Sequence, residues 1–60
     1  MRTTITINCE DERELLLHLT VIRQQIKSEI KKQKGYLEKD VKLTDNNCYG
    51  DHTVNIKNLL

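Results

Sequence analysis

From Glu10 to Lys34 the chain runs without a single glycine or proline. Within that run Leu15, Leu19, Ile22, Ile26 and Ile30 recur at spacings of four, three, four and four. Such spacing puts all five on one face of an α-helix. Asn8 offers a side-chain acceptor at the helix start, and Glu10, Asp11 and Glu12 place negative charge near the positive end of the helix dipole. At the other end Lys31, Lys32 and Lys34 precede Gly35, which suits the left-handed position that closes a helix. One helix over Glu10–Lys34 is therefore expected, roughly 37 Å long at 1.5 Å per residue.

A helix of that length dominates a chain of 60 residues. Before it, "TTITIN" alternates Ile5 and Ile7 with threonines, the period of a strand with one buried face. After it, "LEKDVKLT" places Leu37, Val41 and Leu43 at odd positions, and "HTVNIKN" places Val54 and Ile56 on one face with His52 and Asn58 at its ends. The intervening "DNNCYGD" is dense in turn formers, with Asn46, Asn47 and Gly50 suited to positive φ. The order is β-α-β-β, an α+β class, in one small domain over residues 1–60. A strand-helix-strand unit returns its second strand parallel to the first. The third strand, placed between the other two, then pairs antiparallel with both. The helix covers one face, and the other carries Thr4, Thr6, Lys42, Thr44, Thr53, Asn55 and Lys57.

Composition limits what such a domain can be. Hydrophobic residues make up 37% with no Phe or Trp, so the core must be Leu, Ile and Val. Domains below roughly 70–80 residues usually add disulfides, a metal or oligomerisation. Two cysteines are too few for a disulfide scaffold, the N-terminal stretch lacks an apolar signal segment, and no apolar run approaches a membrane span. The expectation is a soluble, cytoplasmic protein with reduced thiols, no membrane contact and no cofactor. A net charge of +1 hides a division: Arg2 and Arg13 oppose Glu10, Asp11, Glu12 and Glu14 in residues 1–20, whereas residues 21–42 carry seven cations against Glu29, Glu38 and Asp40.

Two surface stripes suggest partners. Leu17 and Val21 lie roughly 180–220° from the centre of the aliphatic face. With a small core and a helix longer than a typical strand, they point to a homodimer packed along that stripe, or to an interface for another protein. Arg23, Lys27, Lys31 and Lys34 fall within about 80° of one another, a row that could track phosphates. They also complement the helix C-terminus. With Tyr36 and Tyr49 the only aromatics, stacking platforms for single strands are scarce, so nucleic-acid binding is the alternative. The opening "MRTTITI" resembles the strand of ribbon-helix-helix repressors and antitoxins, where Arg2, Thr4 and Thr6 would read the major groove. That family needs two helices joined by a short turn, whereas here one helix runs on to Gly35, and no family is assigned.

Parallel first and second strands would gather Cys9, Cys48, Tyr49 and His52 at one end of the sheet. Cys9, Cys48 and His52 could supply three zinc ligands, but Cys48-x3-His52 is permissive spacing and no CxxC is present. A Cys9–Cys48 disulfide would need an oxidising compartment. A helix N-terminus favours a reactive thiolate at Cys9, and Glu10, Asp11 and Glu12 oppose it. Nothing supplies a base and an oxyanion site, so no catalysis is expected. The favoured reading is structural: both cysteines fill the end of the core, Tyr49 covers it, and His18 sits at the boundary between core and surface or in an interface.

Overall fold

A computed structural model describes residues 1–58. It contains β1 (Arg2–Asn8), α1 (Glu12–Lys32), β2 (Val41–Asn47) and β3 (Gly50–Lys57). The three strands form one sheet in the order β1-β3-β2, antiparallel at both junctions. The α+β class and the central third strand are as the sequence predicts.

Register explains the two faces. Thr3, Ile56 and Val41 lie side by side across the sheet, as do Ile5, Val54 and Leu43, and Ile7, His52 and Asp45. Directly opposed residues share a face, so these nine look toward α1. The threonines, lysines and asparagines between them form the polar outer face. Ile22, Val41, Val54 and Ile56 are the buried core, with Ile7, Ile26, Leu37 and Leu43 packed against it.

Both helix ends differ from expectation by two residues. Asp11, not Asn8, is the N-cap: its carboxylate accepts the Glu14 N–H at 2.9 Å, while Glu14 Oε1 accepts the Glu10 N–H at 2.8 Å. This is close to a capping box, shifted outward by one donor. Asn8 instead donates its side-chain amide to Asp51 Oδ1 across the β1–β3 pair. At the C-terminus the Gly35 N–H returns to the Ile30 carbonyl at 2.9 Å, the closing bond of a Schellman motif. Lys34 therefore holds the left-handed position at φ 74°, one residue before the glycine.

At 21 residues α1 spans roughly 32 Å, against about 24–27 Å for strands of seven or eight. The overhang is smaller than predicted. The loop after α1 is tied down by Gln33 Oε1, which accepts the N–H groups of Glu38 and Lys39, and by Asn58, whose amide donates to the Leu37 and Glu38 carbonyls.

The β2–β3 hairpin turns through Cys48 and Tyr49. Asn46 and Asn47 stay at negative φ, contrary to expectation; Gly50 alone takes the positive value, φ 115°. Asn47 Oδ1 instead closes the turn by accepting the Tyr49 N–H at 2.8 Å. A Cβ on Gly50 would overlap the Asn8 carbonyl oxygen, so glycine also lets the hairpin close against the end of β1.

Candidate functional site

The helix face that meets the sheet is not the aliphatic one. His18 and Ile22 are its buried residues, whereas Leu15 and Leu19 are 39% and 43% exposed. Relative to the face defined by the five aliphatics, α1 is rolled by roughly 50–60° about its axis. The roll follows a polar network. His18 Nδ1 meets His52 Nδ1 at 2.8 Å, His18 Nε2 meets the Tyr49 carbonyl at 3.0 Å, and His52 Nε2 meets Gln25 Oε1 at 2.9 Å. Gln25 Nε2 in turn donates to the Thr44 carbonyl of β2 at 3.3 Å. The imidazole rings stand edge-on, 5.1 Å apart and nearly perpendicular.

Both histidines are essentially closed to solvent. His18 is therefore core, not boundary, and His52 is an interior residue of β3. The signal was present in the sequence. His52 sits in the same two-residue phase as Val54 and Ile56, and His18 lies one turn from Ile22 and two from Gln25. A polar side chain is missed by any reading that counts only aliphatics.

The roll leaves an apolar flank uncovered. Gln25 binds β2, so the helix side bearing Leu15 and Leu19 looks over β1. There Ile5 is 45% exposed, although its cross-strand neighbour Val54, on the same sheet face, is fully buried. Leu15, Leu19 and Ile5 were predicted core and are instead surface; Leu16, next to them, is 63% exposed. β1 is also an edge strand. It pairs with β3 without a bulge, contains no proline, and Arg2 is its one charged residue. Devices that normally discourage edge pairing are absent from it.

The predicted stripe of Leu17 and Val21 lies on the other flank, toward the hairpin. Leu17 is exposed and Val21 half-buried, and together with His18, Asn47 and Tyr49 they line one shallow depression. Arg23, Lys27 and Lys31 are exposed on α1, whereas Lys34 lies beyond the helix and out of their row.

Cys9, Cys48 and Tyr49 do share the wall of one hollow at the end of the sheet, with Asn8, Glu10 and Glu14. His52 does not join them, because both its ring nitrogens are engaged elsewhere. The three zinc candidates are thus not brought together, and no cluster of three or more metal-ligating side chains occurs among the described residues. Neither cysteine fills the core: Cys9 is half-buried and Cys48 exposed, both as free thiols. Desolvation, then the carboxylates of Glu14 and Asp11, push the Cys9 thiol above its ordinary range, which disfavours a nucleophilic thiolate.

No helix among the described residues is long and apolar enough to cross a membrane. Comparison with protein-family models, curated proteins and solved structures gives no match.

Proposed function

We propose that this chain is a non-catalytic interaction module that works as a homodimer, joined through β1 and the Leu15–Leu19 flank of α1. The observation that carries the reading is the uncovered flank. Ile5, Leu15, Leu16 and Leu19 are exposed beside an edge strand that nothing blunts. Contiguous exposed apolar surface of this kind marks an interaction site, and an unprotected edge invites another strand.

Charge argues that the occupant is a second copy. Antiparallel pairing of β1 with its twin about a twofold axis normal to the sheet would set both helices on one side, running in opposite directions. The start of one helix, where Glu12 lies on this flank, would then run along the basic half of the other, where Arg23 and Lys27 follow. Such a face is self-complementary, as a twofold interface requires. A reducing, cytoplasmic setting suits the two free thiols.

Native mass spectrometry and sedimentation of the full chain at micromolar concentration test this. A dimer is expected, weakened by salt and abolished by Ile5→Glu with Leu19→Glu. Leu17→Glu with Val21→Glu, on the opposite flank, is expected to leave it dimeric. A monomer at about 100 μM, well above the micromolar affinities of ordinary specific contacts, would reject the reading. So would a dimer that survives the Ile5/Leu19 pair and dissociates on the Leu17/Val21 pair. The alternative, nucleic-acid binding through Arg23, Lys27, Lys31 and Lys34, predicts a salt-dependent mobility shift of a labelled duplex or single strand. Such a shift, lost on charge reversal at Lys27 and Lys31, would favour the alternative.

A further inference from the structure

The buried pair His18–His52 has no part in that interface. With exposures of 2% and 1% its rings cannot reach a substrate. Nor can a metal ion bridge the two Nδ1 atoms: they are 2.8 Å apart, whereas two zinc–nitrogen bonds of about 2.0–2.1 Å at a tetrahedral angle require about 3.3 Å. What the pair can bind is a proton.

Hydrogen-bond roles settle how many. The Tyr49 carbonyl only accepts, so His18 Nε2 carries a hydrogen. Gln25 Nε2 donates to the Thr44 carbonyl, so Gln25 Oε1 faces His52 and His52 Nε2 carries a hydrogen too. Two neutral imidazoles would then have no hydrogen left, and two Nδ1 lone pairs would confront one another at 2.8 Å. One further proton between them completes the network; a second would set two N–H groups head to head. We propose that His18 and His52 form a one-proton site, with a single positive charge shared across the Nδ1–Nδ1 bond, and that this proton holds Gln25 in its grip on β2.

The charged groups around the pair fit a cation. From β2, Asp45 lies directly across from His52 on the same face, its carboxylate held by the Asn46 N–H and the Asn47 amide. From α1, Glu14 lies one turn before His18, and Glu29 lies one turn beyond Gln25, accepting from Gln33. From β3, Asp51 points to the opposite face of the sheet, where it accepts from Asn8. β1 itself presents uncharged Ile7. The charged residues on the side of the pair are the three carboxylates Asp45, Glu14 and Glu29.

Proton loss has a structural consequence. The neutral pair is satisfied only if the Gln25 amide turns over and donates to His52 Nε2, which frees His52 Nδ1–H to donate to His18. The Thr44 carbonyl then loses its donor. What the neutral state gives up between α1 and β2 is this one exposed bond, 3.3 Å long.

Long-range proton–nitrogen correlation spectra of the labelled chain, from about pH 5 to about pH 9, count the protons directly. Three nitrogen-bound hydrogens on the two rings of the folded chain near neutral pH are expected. Two neutral rings there would overturn the proposal. Gln25→Glu keeps both rings and supplies a fixed acceptor to His52 Nε2. It should keep all three ring hydrogens, and two neutral rings in this variant would count against the proposal. These spectra read the same in monomer or dimer, so the outcome does not depend on the assembly.

Discussion

The two flanks of α1 invert the usual rule of burial. Toward β2 the seam is polar: His18, His52 and Gln25 link helix to sheet, no buried side-chain nitrogen or oxygen among the described residues lacks a partner, and Leu17 beyond it is itself 50% exposed. Toward β1 the seam is aliphatic and open, with Leu15, Leu19 and Ile5 at the surface. Burying polar groups costs free energy unless each is hydrogen-bonded. Leaving three aliphatic side chains about two-fifths exposed forgoes roughly 0.6–1.3 kcal/mol apiece. Directional bonds have oriented this helix, and the apolar surplus was turned to the side where a partner can cover it.

The sharpest way to break that contrast is to truncate one aliphatic from each class. Ile22, 3% exposed and packed on Val54 and Ile56, should lose about 2–5 kcal/mol as alanine. Leu19→Ala, measured by urea unfolding at concentrations too low for association, should cost under about 0.5 kcal/mol. If the proposed dimer forms, the Leu19 deficit should grow at higher concentration, since association would stabilise the wild type by mass action. Equal costs in the dilute monomer would mean that Leu19 is core after all, and that the helix is not rolled.

Much of this was legible in the sequence. Alternation in "TTITIN" and "HTVNIK" and the unbroken run to Lys34 specified β-α-β-β, and the preference for antiparallel neighbours put β3 in the centre. The helix roll was not. Periodicity weighs Leu15 and Leu19 as heavily as Ile22, and only the register of β3 shows that His52 lies where His18 can meet it. That coupling joins residues 34 positions apart, which no local pattern encodes. In "NNCYGDH" the atoms that meet the helix are the Tyr49 carbonyl and the His52 ring, and neither is marked by residue spacing along the chain.

A second prediction concerns the polar flank. His52→Leu removes the partner of His18 Nδ1 and leaves that nitrogen buried and unmatched, at a cost of about 1–3 kcal/mol. Adding His18→Leu removes the unmatched group and supplies apolar contact in its place. The double variant should therefore be at least as stable as the single one, by the same logic that makes replacement of a buried ionic group by hydrophobic residues often neutral or better. A double-mutant cycle in urea measures the coupling. Strictly additive losses would show that the two rings contribute only volume.

A smaller effect than those of the buried residues lies where α1 ends, beyond both flanks. Lys34 occupies the left-handed position of the Schellman turn at φ 74°, a conformation that costs a side-chain-bearing residue roughly 1–2 kcal/mol. Glycine tolerates it but loses more freedom on folding, so Lys34→Gly should gain about 0.5–1 kcal/mol net. Thermal unfolding would show this as a rise of a few degrees, with the dimer unchanged. Gly35→Ala provides the converse. Its φ is 89° and nothing stands within 4 Å of an added Cβ, so any loss there comes from backbone strain alone. Lys34→Gly also separates the two readings of the basic row. If the cations serve a partner helix, removing one that lies off α1 leaves association intact; if they track phosphates together, the more stable variant binds nucleic acid with a shallower salt dependence. A gain in stability with neither change would leave Lys34 as a strained cap and assign the remaining cations to α1 alone.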